Sequence, residues 1–238
     1  MKEITNFIKQ HDYPPFDLRA VFFDMDGILF DSMPSHAAAW AQTMQNRGFD
    51  FSEYDAYLNE GRTGESTINQ SYLKYFGHEA SQEECNLIYA EKSAYFEACG
   101  PVKPIVGTLE LLQVIQAQHL DIFVVTGSAQ RSLLDNLNAH FPRIFAQEKM
   151  VTALDVKFGK PNPEPYLIAL EKAQIHPWQA VVVENAPLGV QAAVAAGIFT
   201  IAVNTGILTE QVLADAGAHL VYPSMTDLLT QWPTIYGK

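Results

Sequence analysis

Val21-Phe22-Phe23-Asp24-Met25-Asp26-Gly27 is a short apolar run that ends abruptly in two acids, one residue apart, and then a glycine. The run predicts a buried strand whose first acid projects from the carboxyl end of the sheet. The glycine lets the chain leave the strand at once, through backbone conformations that other residues resist. Two carboxylates this close repel unless a cation or a proton sits between them, so the pair is costly unless it serves chemistry. One can attack or hold metal while the other moves a proton. Two plainer readings compete. Aspartates after a strand often cap the next helix, and D-x-D-G is a fragment of a calcium loop, although the full loop with its distal glutamate does not follow here.

Three later stretches share the pattern of chemistry at the end of, or close to, an apolar run. They are Phe123-Val124-Val125-Thr126-Gly127-Ser128, Gly159-Lys160-Pro161-Asn162-Pro163 and Val181-Val182-Val183-Glu184-Asn185-Ala186-Pro187-Leu188-Gly189-Val190. Strands are predicted at 20–24, 121–126, 180–184, 200–203 and 219–222, with a short one near 150–152. Several are almost continuously apolar, as parallel strands covered on both faces are. Helical patterns at 107–119, 128–140, 163–174, 187–196 and 209–216 separate them. That alternation predicts a doubly wound, Rossmann-like α/β sheet. Between 31 and about 102 the strand signal vanishes and helical segments at 34–47, 65–76 and 81–99 take over. We read 31–102 as an inserted helical cap, 19–30 and 103–238 as the α/β core, and 1–18 as an N-terminal extension with no assigned role. Both ends of the insert lie near the carboxyl end of the sheet, so it can fold over the site.

Together the four segments, in this order, resemble the haloacid dehalogenase superfamily, and within it the β-phosphoglucomutase-like phosphatases and phosphomutases. The resemblance runs from about Arg19 almost to the C-terminus. It implies the same cap, four helices inserted after the first strand. It implies Asp24 as nucleophile, attacking phosphorus in line to form an aspartyl-phosphate. Asp26 matches the general acid/base, and its backbone carbonyl is the expected metal ligand. A dehalogenase needs no such acid, because halide leaves unprotonated, so Asp26 argues for phosphoryl transfer.

Thr126, Gly127 and Ser128 form a strand-to-helix turn whose amides and hydroxyls suit a phosphate oxygen, although Ser128 also reads as a simple helix cap. Lys160, in its proline-rich setting, matches the cation that faces the phosphoryl group and the anionic nucleophile. Glu184 and Asn185 stand where relatives commonly carry two acids, the second of which usually binds magnesium. The metal set implied is thus Asp24, Asp26, Glu184 and Asn185, with Asn185 an uncharged but competent oxygen donor. In the cap, His36 and Trp40 are four apart and share a helix face, as core residues or as substrate contacts. Arg62, in Gly61-Arg62-Thr63-Gly64, resembles the specificity loop and can grip a second phosphate or a carboxylate. Lys92 resembles a cap lysine of the mutases.

Composition narrows the partners. The 238 residues hold 15 Lys+Arg against 27 Asp+Glu, a net charge of −12, with no basic cluster. That argues against nucleic acid and against an anionic membrane surface. A phosphate substrate then needs a locally positive site, which Mg2+ and a few placed cations supply. Cys85 and Cys99 lack ligand spacing and read as free thiols. No signal peptide or spanning run is evident, so a cytoplasmic protein is expected, with monomer and dimer both open. No G-x-S-x-G, Walker loop, H-E-x-x-H or G-x-G-x-x-G competes. The favoured reading is a magnesium-dependent phosphohydrolase of a small phosphorylated metabolite (a sugar phosphate, another phosphate ester or pyrophosphate). The alternative is a β-phosphoglucomutase-type phosphomutase. A phosphometabolite-binding regulator without turnover rests on Asn185 alone.

Overall fold

The computed structural model describes residues 1–128 and 133–237. Six strands form one parallel sheet: β1 (Ala20–Phe23), β2 (Asp121–Val125), β3 (Met150–Val151), β4 (Ala180–Glu184), β5 (Phe199–Val203) and β6 (Leu220–Tyr222). Their order is β3-β2-β1-β4-β5-β6. β1 pairs in parallel with β2 on one side and with β4 on the other, Phe23 lying opposite both Val124 and Val183. The alternation of β1 explains its unbroken apolar run. Val21 and Phe23 enter one core cluster, Ala20 and Phe22 the other, and all four are fully buried. Both faces of the sheet are covered, as a parallel sheet requires.

Helices α1 (Lys2–His11), α2 (Met33–Gln45), α3 (Glu53–Leu58), α4 (Gly64–Phe76), α5 (Gln82–Ala98), α6 (Thr108–Ala117) and α7 (Leu133–His140) come first. They are followed by α8 (Glu164–Ala173), α9 (Pro187–Ala195), α10 (Glu210–Asp215) and α11 (Met225–Tyr236). The helix expected from Ser128 is thus seen from Leu133, and 129–132 lie outside the described residues. Three helices went unpredicted. α1 buries Ile4 and Phe7, the latter edge-on to Phe199 at 5.5 Å. α3 is short and held by a Ser52–Asp55 capping box. α11 carries Pro233 inside it.

Helices α2–α5 gather around their own apolar cluster, built on Met44, Phe49, Tyr57, Ile68 and Ile88. Leu208, from the loop after β5, inserts into that cluster and ties it to the sheet layer. The two crossings between the layers run side by side, with the amide of Asp31 on the carbonyl of Lys103 at 2.8 Å and that of Ile105 on Leu29 at 3.1 Å. The helical layer therefore sits over the carboxyl ends of β1 and β4, where the strand order reverses. Open α/β sheets bind ligands at that reversal.

Candidate active site

Asp24 follows β1 directly, its amide bonded to the carbonyl of Val183 on β4 at 3.0 Å. Gly27 turns the chain with φ +79°, and a Cβ there would fall 2.1 Å from the Asn185 side chain, so the turn and the close approach both require glycine. Beneath Asp24 lies Lys160, 2% exposed. Its ammonium reaches Asp24 Oδ1 at 2.5 Å, Glu184 Oε1 at 2.6 Å and the Val125 carbonyl at 3.0 Å. Those contacts use all three of its donors. Burial works against the charge, but Asp24 and Glu184 outweigh it and hold the Lys160 ammonium above the usual lysine range. One ammonium cannot neutralise two carboxylates. Burial, with Glu184 and Asp26 nearby, accordingly raises Asp24 above the usual carboxylate range despite the pull of Lys160.

Asp26 lies in a different setting. Its Oδ1 accepts from Ser32 at 2.6 Å and meets His36 Nε2 at 3.2 Å. Burial pushes its carboxyl up, yet His36, Ser32 and Lys92 together draw it down to about 2. His36 Nδ1 meets Lys92 Nζ at 2.6 Å. Lys92 is itself packed among the rings of Trp40, Tyr89 and Phe96 at 5.1–6.0 Å. Burial lowers it to about 8, against the attraction of Asp26. The two aspartates, two residues apart, are thus driven in opposite directions.

A cavity of about 80 Å³ opens above them, lined from below by Asp24, Asp26, Thr126, Gly127 and Ser128. His36, Trp40, Glu60, Arg62 and Lys92 line it from the helical layer. Ser128 donates its amide to the Thr126 hydroxyl at 3.1 Å. Arg62 is braced by Asn59 at 3.1 Å and Ser66 at 3.4 Å. The loop bearing Glu60 and Arg62 rests directly on the sheet layer. A Cβ on Gly127 would fall 2.9 Å from the Gly61 carbonyl, and one on Gly61 would fall 2.9 Å from the Lys160 stem.

Two of the expected site residues stand behind the cavity rather than in its lining. Lys160, expected to face both the phosphoryl group and the anionic nucleophile, stands behind Asp24 with its donors on Asp24, Glu184 and the Val125 carbonyl. Glu184, expected as a metal ligand, is fully buried and saturated. Its Oε1 takes Lys160 and Tyr166 (2.7 Å), and its Oε2 takes the amides of Asn185 and Ala186. Gly189 serves the same carboxylate, since a Cβ there would fall 1.9 Å from Glu184 Oε1.

The residue that sequence reasoning missed is Glu60. It is 8% exposed and accepts from Asn185 Nδ2 at 2.9 Å. Burial, then Asp24, raise it well above the usual range, while the Asn185 contact opposes. Its other oxygen and Asn185 Oδ1 are both buried with no hydrogen-bond partner. Among the described residues no set of three or more His, Cys, Asp or Glu is gathered as a ready-made metal site. Yet two orphaned oxygens beside an under-neutralised Asp24 are what a hard, oxygen-seeking cation would satisfy. The donor set therefore fits magnesium.

The haloacid dehalogenase-like hydrolase profile matches residues 21–203, which span the D-x-D-G turn, the helical layer and Lys160 through to β5. The chain belongs to this family. Within it the chain stands in the β-phosphoglucomutase-like branch. A proposed β-phosphoglucomutase from Bacteroides vulgatus is 51% identical, with a TM-score of 0.96, over 99% of this chain and 96% of that one. Validoxylamine A 7'-phosphate phosphatase of Streptomyces hygroscopicus subsp. limoneus is 29% identical over 91% of this chain and 98% of its own. Hexitol phosphatase A of Escherichia coli is 31% identical over 78% of this chain and 83% of its own. Among the described residues no helix of this hydrolase-family enzyme is long and apolar enough to cross a membrane.

Proposed function

We propose that this protein is a magnesium-dependent phosphohydrolase of a small phosphorylated metabolite, working through an aspartyl-phosphate on Asp24. The observation that carries the reading is the buried ammonium of Lys160 clamped to Asp24 Oδ1 at the reversal of strand order, under a cavity lined by both aspartates. With Oδ1 fixed by Lys160, the second oxygen of Asp24 is the one that attacks phosphorus, and the bond to the leaving oxygen breaks as the new one forms. Asp26, held ionised near pH 7 in the free enzyme, takes up a proton from solvent as the negative phosphoryl group settles beside it and delivers that proton to the leaving oxygen. It then accepts a proton from the water that attacks the aspartyl-phosphate. Thr126, Gly127 and Ser128 bind the non-transferring oxygens, and Arg62 and Lys92 supply positive charge from above.

Magnesium would be held by Asp24, the Asp26 backbone carbonyl, Asn185 and Glu60. There it would supply positive charge against the transferring phosphoryl group. Glu60 takes, in this set, the place first given to Glu184. Because Glu60 belongs to the helical layer, the seating of that layer on the sheet, with Glu60 against Asn185, would also exclude water from the first transfer.

The phosphatases among the relatives support hydrolysis of sugar phosphates or similar esters, with pyrophosphate a further candidate. The Bacteroides vulgatus neighbour keeps the phosphomutase as second reading, in which the phosphoryl group returns to substrate. Magnesium-dependent phosphate release across sugar phosphates, phosphate esters and pyrophosphate, with Asp24→Asn as control, tests the proposal. Selective release lost in the variant supports it. Silence across the panel, followed by isomerisation primed with a sugar bisphosphate, selects the mutase.

A further inference from the structure

Glu184 is held by a side chain that none of the motifs contains. Tyr166, on α8 and fully buried, donates its hydroxyl to Glu184 Oε1 at 2.7 Å, the oxygen that also takes the Lys160 ammonium at 2.6 Å. The Tyr166 ring lies against the same ammonium, 5.3 Å from its centroid. Tyr166 is absent from the lining of the cavity and so does not touch substrate.

We propose that Tyr166 is a positioning residue for phosphoryl transfer, its hydroxyl and ring fixing the Glu184–Lys160 pair so that the ammonium rests on Asp24. The proposal builds on the phosphohydrolase reading. With both oxygens of Glu184 saturated, the carboxylate has no pull to spare, and Lys160 divides its three donors between Asp24, Glu184 and the Val125 carbonyl. Without the hydroxyl, Glu184 Oε1 keeps an unfilled buried acceptor site whose available donor is the ammonium. Lys160 is then drawn toward Glu184 and off Asp24, and the attacking carboxylate loses its fixed orientation.

Tyr166→Phe keeps the ring and its contact with Lys160 and removes only the hydroxyl. We expect kcat about tenfold lower, KM within about twofold and a melting temperature within a few degrees of the parent. The same substitution in a Glu184→Gln background should cost nothing further, because the hydroxyl acts through that carboxylate. An equal tenfold loss in both backgrounds overturns the proposal. A second readout needs no substrate. In protein labelled with nitrogen-15 lysine, hydrogen exchange at the Lys160 ammonium should quicken about tenfold in Tyr166→Phe. Unchanged exchange overturns the proposal, and it decides alone if Glu184→Gln does not fold. A parent enzyme silent toward every substrate, with exchange changed as expected, would refute the phosphohydrolase reading and leave the hold of Tyr166 on Lys160 standing.

Discussion

Replacing Lys160 with Met removes the positive charge that Asp24 and Glu184 share while roughly keeping the buried volume. Both partners are buried, and the ammonium stands 2.5 and 2.6 Å from them. Removing one member of such a buried ionic cluster costs about 3–5 kcal/mol, because the remaining charges are left uncompensated. At the size of this chain, 1 kcal/mol shifts the melting temperature by about 2–4 °C, so a drop of about 6–20 °C is expected. The loss should grow as pH rises, since without the ammonium the two carboxylates tolerate burial only with a proton between them. Magnesium should restore part of it by compensating Asp24. The same substitution should cut kcat by at least about 10²–10³-fold, the usual cost of losing a preorganised charge at a reacting centre. Thermal melts between pH 5.5 and 8, with and without magnesium, together with steady-state kinetics, read all of this. A melting temperature within about 2 °C of the parent, or a kcat within about threefold, would refute the reasoning.

Three further predictions concern other parts of the molecule. Glu60→Gln removes a buried carboxylate with an unsatisfied oxygen beside Asp24. It should raise the metal-free melting temperature by an amount equivalent to about 1 kcal/mol while weakening magnesium binding about 10–100-fold by calorimetry; unchanged magnesium affinity would remove Glu60 from the ligand set. Phe7→Ala should destabilise the protein by about 3–5 kcal/mol in urea melts with no change in kcat below the transition, because Phe7 anchors α1 to Phe199 far from the cavity. A loss under 1 kcal/mol would show that α1 is not integral to the core. Burial, with a smaller push from His11, holds His219 down at about 4. Its folded value lies below the ordinary 6.5, so its contribution is present in full above about pH 6.5 and is lost as pH falls toward 4. After discounting for partial exposure this amounts to about 1–2 kcal/mol. His219→Gln, which keeps an acceptor for the Thr200 amide, should flatten the urea midpoint between pH 7 and 4.5 relative to the parent, and an identical slope would contradict the assignment.

The strands were legible because their cause is local. Val21–Phe23 and Val181–Val183 are apolar on both faces, and in a parallel sheet that pattern has one outcome. The placing of Asp24, Thr126 and Glu184 at the carboxyl ends of strands was legible for the same reason, while the adjacency of β1 and β4 was not. What escaped the sequence depends on contacts between distant segments. Nothing near Glu60 announces a partner; its meaning appears only when the helical layer lays it against Asn185, 125 positions away. The inward turn of Glu184 was not legible because an acid at the end of a strand can face the site or the core, and Tyr166, Gly189 and two backbone amides decide it. Helix α11 was hidden by Pro233, a breaker in most helix interiors.

The most direct measurement is rapid acid quench of the enzyme mixed with a radiolabelled phosphate ester that it turns over, in the presence of magnesium. Before the steady state, label should appear on the protein in an alkali-labile acyl linkage, approach one phosphate per chain, and map to the peptide carrying Asp24, with none in Asp24→Asn. Steady phosphate release from a protein that never carries label on that peptide, or undiminished turnover by Asp24→Asn, would contradict a covalent mechanism at this residue.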